Sequence, residues 1–287
     1  MASEPYTTGL VTSKDGTTIG YRQLGQGPGV VLLHGAMSSG HNHMQLAEAL
    51  AGAFTVYVPD RRGRGLSSSA SEDYNIQKEV EDIGALLTKT GTHNAFGLSS
   101  GAIIMLQAAL TLPAIRKAAI FEPPFFVKEP LPTSLLMRYD NEMAQDRAAA
   151  ALVTGMKAAK LAPPVFNLMP RWLLELLVAM GMKSEDKKPK GGYIPLRALA
   201  PTLHNDFRLV VEMNDKLESF KDIQAEVLLL GGSKSPAFLK AALDALNEVL
   251  PQAKRVEFSG LNHAASWNND RGGKPEPVAQ ELRRFFV

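Results

Sequence analysis

The chain has 287 residues, 45% of them apolar and 21% charged, and a formal net charge of +2. This is long enough to bury a real core and ordinary for a soluble globular protein, and it leaves no large basic face for a nucleic acid. There is no cysteine, which excludes disulfides, thiolate metal sites and a cysteine nucleophile and fits a cytoplasmic protein.

The opening segment MASEPYTTGL has no basic stretch followed by an apolar one, so no secretory signal is expected. Two β-rich runs come first, TTGLVTS and TTIGYRQLG, the second bounded by KDG and GQGPG turns. GVVLLHG is a continuous apolar run of the kind a strand covered on both faces needs. HNHMQLAEALAG then reads as a helix ending at Gly52, FTVYVPD as a buried strand, and NIQKEVEDIGALLTKTG as a helix. HNAFGLS, SGAIIMLQAALTL and RKAAIFEPP continue as strand, helix and strand. The alternation returns near the C-terminus with AEVLLLGG, SPAFLKAALDALNEVL, AKRVEFSG and PEPVAQELRRFFV. Regular strand–helix alternation predicts an α/β fold, a mostly parallel, doubly wound sheet with helices on both faces.

The alternation is interrupted over residues 124–216, so residues 1–123 and 217–287 are expected to form the core. The interruption reads as several helices broken by prolines and by the polar segment KSEDKKPKGG, whose mixed charges read as solvated loop. Seven of the eleven methionines lie here: Met137, Met143, Met156, Met169, Met180, Met182 and Met213. They either line an apolar ligand site or pack as core, which methionine does equally well. PRWLLELLVAMGM, the most apolar helix candidate, is too short to span a bilayer and carries Arg171 and Glu175.

Gly97-Leu98-Ser99-Ser100-Gly101 fits G-x-S-x-G and lies between a strand and a helix, where that turn must lie. The turn is sharp enough to need small residues on either side and to hold Ser99 up as a nucleophile. Ser100 would begin the helix and offer its backbone N–H to a developing oxyanion. His34-Gly35-Ala36-Met37 follows the third strand, and PDRRGRGLSS follows the fourth. With the elbow, these segments come in an order that resembles the α/β-hydrolase family over almost the whole chain outside the interruption. The resemblance implies an α/β-hydrolase fold with an inserted helical cap, no cofactor, and an oxyanion hole formed by the N–H groups of Ala36 and Ser100.

Of six histidines only His263 follows the last strand, in VEFSGLNHAASWN, and it resembles the catalytic histidine of that family. The acid departs from the common pattern. Where many members carry an Asp after the penultimate strand, this chain reads LLLGGSKSP. Some α/β hydrolases, including certain dehalogenases and lactone hydrolases, place a Glu after the strand that follows the nucleophile helix. Glu122 in AAIFEPPF occupies that position. Asp206, Asp215 and Asp270 are the reserves, and a dyad bridged by water is a further alternative.

GGSKS lacks the glycines of a phosphate-binding loop, and GQGPG has neither the spacing nor the helix of a dinucleotide fingerprint. His41 and His43 are poorly spaced for a metal, so no metal is expected, and both residues are candidates to border the pocket. Arg61, Arg62 and Arg64 are expected to brace the loop after the fourth strand, with binding of an anionic group the minority role. Trp267 lines the pocket or packs. The implied reaction is hydrolysis of an ester, lactone or thioester of a hydrophobic small molecule through an acyl-serine. Other chemistry in the same site (C–C hydrolysis, perhydrolysis or a lyase reaction) is one alternative, and a ligand receptor with a slow or inactive triad is another.

Overall fold

Uninterrupted runs of Val, Leu, Ile and Phe occupy the middle of the sheet, where helices cover both faces. The computed structural model describes residues 6–70, 73–160, 166, 168–187 and 192–287. The first five residues of the opening segment and residues 188–191 of the polar segment lie outside the described residues.

The chain runs through β1 (Thr7–Thr12), β2 (Thr18–Leu24), β3 (Gly29–Leu33), α1 (Met44–Leu50) and β4 (Thr55–Pro59). It continues through α2 (Ile76–Thr90), β5 (Asn94–Leu98), α3 (Ser100–Thr111) and β6 (Lys117–Phe121). Between β6 and the next strand come α4 (Thr133–Ala144), α5 (Ala148–Ala158), α6 (Arg171–Glu185), α7 (Leu196–Leu199) and α8 (Leu203–Met213). Then follow β7 (Glu226–Gly232), α9 (Ala237–Val249), β8 (Lys254–Phe258) and α10 (Pro275–Phe286).

The strands form one eight-stranded sheet in the order β1-β2-β4-β3-β5-β6-β7-β8. β2 pairs antiparallel with β1 and with β4, and every pair from β4 to β8 is parallel. β4 lies on one side of β3 and β5 on the other, so the winding reverses there. In open α/β sheets the crevice at such a reversal, outside the carboxyl ends of the strands, is where ligands bind. His34 and Ser99 stand at those two carboxyl ends.

Successive residues of a strand point to opposite faces. Val31, Leu33, Ala95, Ile120 and Leu229 therefore join α2, α3 and α9 in one core layer. Val30, Leu32, Phe96, Phe121 and Leu230 join α1 and α10 in the other. α3 is buried on nearly every side, which explains its almost unbroken apolar sequence. α2 starts under the Asn75 side chain, which accepts from the Lys78 N–H, and ends at Gly91, whose φ of 66° suits glycine.

Two local readings shift. The helix expected over 41–52 is a 3-10 turn at Gly40–His43 followed by α1, and it closes at Leu50. The segment beginning at Lys183 is not loop at its start, because α6 runs on to Glu185.

Candidate active site

β5 ends at Leu98 and α3 begins at Ser100, leaving Ser99 alone to turn the chain. Its φ of 57° and ψ of −125° are conformations a residue with a Cβ adopts only when the surroundings impose them. A Cβ on Gly97 would stand 2.4 Å from the Gly101 carbonyl oxygen, and one on Gly101 2.5 Å from that of His34. Both glycines therefore let the turn close on itself and on the end of β3. The Ser99 N–H donates to the Phe121 carbonyl at 2.9 Å, tying the turn to β6. Ser100, at the first helical position, has a backbone N–H with no acceptor inside the helix. Across the crevice, a Cβ on Gly35 would stand 2.8 Å from the Ser99 Cβ, so the His34–Gly35–Ala36 segment runs directly over the serine.

Glu122 follows β6 immediately and is fully buried. Its φ of 46° bends the chain at the strand end, and its N–H still donates to the Leu230 carbonyl at 3.1 Å. Its Oε1 accepts from the Gly232 N–H at 2.6 Å, and its Oε2 lies 2.7 Å from His263 Nδ1. A carboxylate only accepts, so His263 donates from Nδ1, and Nε2 is the ring nitrogen left unengaged by Glu122. The His263 loop is pinned from two directions. Lys234 N–H donates to the Leu261 carbonyl at 2.8 Å, and the Asn268 side chain spans the Gln45 N–H and the His41 carbonyl.

The reserve acids stand elsewhere. Asp215 and Asp270 are exposed. Asp206 is buried, accepting from Arg61 at 2.6 Å, Arg64 at 2.5 Å and Ser100 Oγ at 2.8 Å. Burial pushes its carboxyl up, but the Arg64 and Arg61 charges and these hydrogen bonds outweigh that and hold it below its ordinary value. The three arginines are braces: Arg61 also pairs with Glu79 and Arg62 with Asp82 and Asp15. His34 is also structural. Its Nε2 accepts from the Arg61 N–H at 3.0 Å, so Nδ1 carries the proton and donates to the Gly35 carbonyl at 2.9 Å. Burial, then the Arg64 and Arg61 charges, hold it neutral, well below its ordinary value.

Ser99, Ser100, Ala36 and His263 line one cleft of about 600 Å³, its mouth included. The remaining described wall is almost wholly apolar, from Phe126, Leu131, Leu136, Leu203, Phe207, Val210 and Phe238, with Asp206 beside Ser100. None of the seven methionines singled out in the sequence is among these lining residues. Met182 and Met213 pack as core, and Met137 and Met180 are exposed. Neither His41 nor His43 lines the cleft: the His41 ring meets Tyr193 edge-on and that of His43 meets Phe96. Trp267 packs against the core layer under α1 and α10.

What the sequence did not disclose is the second partner of Glu122 and the aromatic wall. Gly231 in LLLGGSKSP was the signal for the first, since a side chain there would enter the space where the Glu122 carboxylate arrives. A Cβ on Gly231 would stand 3.1 Å from Glu122 Oε1.

A family model described as alpha/beta hydrolase fold matches residues 28–270. The chain belongs to this family. An α/β hydrolase from Sphaerobacter thermophilus is 31% identical, with a TM-score of 0.80 over 97% of this chain and 100% of that one. A 2-(acetamidomethylene)succinate hydrolase from Mesorhizobium japonicum is 27% identical over 252 residues, 86% of this chain and 85% of that protein. A pimeloyl-[acyl-carrier protein] methyl ester esterase from Xanthomonas oryzae pv. oryzae is 24% identical over 271 residues, 92% of this chain and 97% of that protein. This α/β hydrolase therefore resembles hydrolases with different substrates. No described helix is long and apolar enough to cross a membrane.

Proposed function

We propose that this α/β hydrolase cleaves an ester, lactone or thioester of an apolar small molecule, with Ser99 as nucleophile, His263 as base and Glu122 as acid. The observation that carries the reading is the serine held at φ 57° in the same cleft as a histidine whose Nδ1 is fixed by a buried carboxylate 2.7 Å away. Ser99 Oγ attacks the carbonyl carbon as His263 Nε2 takes its proton. The oxyanion that forms meets the N–H groups of Ala36 and Ser100. As the tetrahedral intermediate collapses, His263 returns the proton to the leaving alcohol or thiol, leaving an acyl-serine. Water then attacks the acyl carbon while His263 takes its proton, and Ser99 and the free acid are released. Glu122 stays ionised throughout, holding the imidazole in one tautomer and balancing its charge when protonated.

Residues 124–216 serve as a cap in this reading, since Leu136 of α4, Ala158 of α5 and Phe207 of α8 contribute to the wall of the cleft. The wall also speaks for an apolar substrate. The charged or titratable residues among the described lining are Asp206 and His263, with no lysine or arginine to receive a dicarboxylate.

The test combines a fluorophosphonate with a panel of p-nitrophenyl esters and lactones. One adduct mapped to Ser99, its formation slowed greatly by His263→Ala and by Glu122→Gln, is expected together with one acid and one alcohol released per turnover. A folded wild-type protein that forms no adduct would rule the reading out.

A further inference from the structure

Resting on that reading, we infer that Asp206, on cap helix α8, is a positioning residue that aims both halves of the oxyanion hole. The Gly35 carbonyl and the Ala36 N–H belong to one planar, trans peptide, so fixing the oxygen fixes the direction of the N–H. Three donors converge on that oxygen: Arg64 Nη1 at 2.8 Å, His34 Nδ1 at 2.9 Å and Ser38 Oγ at 2.9 Å. Arg64 is the charged member, and its other nitrogen, Nη2, is held by Asp206 Oδ2 at 2.5 Å. A guanidinium on the carbonyl also draws electron density through the amide, which makes the Ala36 N–H a stronger donor.

The other half of the hole is held by the second oxygen of the same carboxylate. Asp206 Oδ1 accepts from Ser100 Oγ at 2.8 Å and from Arg61 Nη1 at 2.6 Å, and Arg61 in turn donates to Ser100 Oγ at 3.0 Å. The side chain of Ser100 is thereby fixed, and with it the backbone position of its N–H at the start of α3. Asp206 is 2% exposed, so these bonds form away from water, where a displaced partner has nothing to replace it. A preorganised donor must already point at the place where charge develops, and one carboxylate from the cap supplies that fixity to both donors.

The experiment uses the full chain with p-nitrophenyl butyrate and a trifluoromethyl ketone of the same acyl length, with active sites counted by fluorophosphonate. Asp206→Asn, which must set an NH₂ group against one of the donors, is expected to lower kcat per active site about 10²-fold, the scale seen when one oxyanion donor is lost. KM should stay within about threefold, and the ketone Ki should rise in step with the fall in kcat/KM. Ser100→Ala leaves both ion pairs and removes one arm, so a smaller loss with the same pattern is expected. If Asp206→Asn does not fold, Ser100→Ala decides by that same pattern. A folded variant whose kcat per active site and ketone Ki are unchanged, or whose loss appears only in KM or in the count of active sites, overturns the inference. A wild-type protein that neither labels nor turns over would instead defeat the underlying reading of the site.

Discussion

Glu122 and Gly232 meet across adjacent strands: the carboxylate at the end of β6 accepts from the backbone N–H at the end of β7 at 2.6 Å. The glutamate also occupies space that a side chain on the neighbouring Gly231 would enter. Two donors, the Gly232 N–H and His263 Nδ1, converge on its two oxygens. Glu122→Gln must turn its NH₂ toward one of them. A misplaced amide of this kind costs about 10⁴-fold in a serine protease that uses the same arrangement. A loss of about 10³-fold or more in kcat is expected here, measured with any ester the wild type turns over, with an intact near-UV spectrum showing that the fold is kept.

The elbow glycines make a stability prediction. Gly97→Ala places a methyl group against the Gly101 backbone, and Gly101→Ala one against the His34 carbonyl. Backbone cannot yield as a flexible side chain would, so each variant should lose about 1–3 kcal/mol. Urea unfolding would read this as a lower midpoint with an unchanged slope.

Phe126 and Phe238 stack at 5.1 Å and 21° and line both the cleft and a neighbouring surface depression of about 360 Å³. The pair is a wall between the two spaces. Phe238→Ala should open it, raising kcat/KM for a C8 p-nitrophenyl ester relative to a C4 ester by about tenfold or more. An unchanged chain-length profile would show that the substrate does not run in this direction.

Acid sensitivity follows from two buried histidines. Burial pushes His43 down to about 3, and burial with the Arg64 and Arg61 charges holds His34 well below its ordinary value. Unfolded histidine titrates near about 6.5. Below that pH the unfolded chain binds protons that the folded chain refuses, so stability present above it is lost as pH falls. Each histidine contributes a slope of about 1.4 kcal/mol per pH unit. Asp206 adds the same sign at lower pH, because its folded value is depressed. Asp82, raised by burial to about 6, opposes the trend between its unfolded value and 6. Urea unfolding from pH 7 to 4.5 should show a net fall of several kcal/mol, and His43→Leu should make that fall shallower.

The central fold was legible because its strands are uniformly apolar and its helices end at glycines and prolines, signals that local chemistry alone decides. The elbow could be read for the same reason: only small residues tolerate that turn. The cleft wall was not, because methionine and phenylalanine carry no mark of which face they will present. Here Phe126, Phe207 and Phe238 face the cleft, while Phe125, Phe220, Met182 and Met213 pack inward. The role of Asp206 depended on a contact 142 residues away in sequence, with Arg64, which no local pattern records.

The placement of Glu122 also bears on how such a chain is exchanged between proteins. Ser99, the two proposed oxyanion donors Ala36 and Ser100, and Glu122 all precede residue 124, so a swap of the helices that follow β6 for those of another protein keeps every one of these residues. It does not keep the carboxylate that faces Arg61 and Arg64, unless the donor segment supplies one. Two guanidinium groups that are now 1% and 2% exposed would be left with fewer partners in the interior, a loss of about 3–5 kcal/mol for a broken buried pair. A chimaera at these junctions inherits a requirement for aspartate at one position of its graft, and a library of such grafts would be sorted by that residue before any substrate was offered.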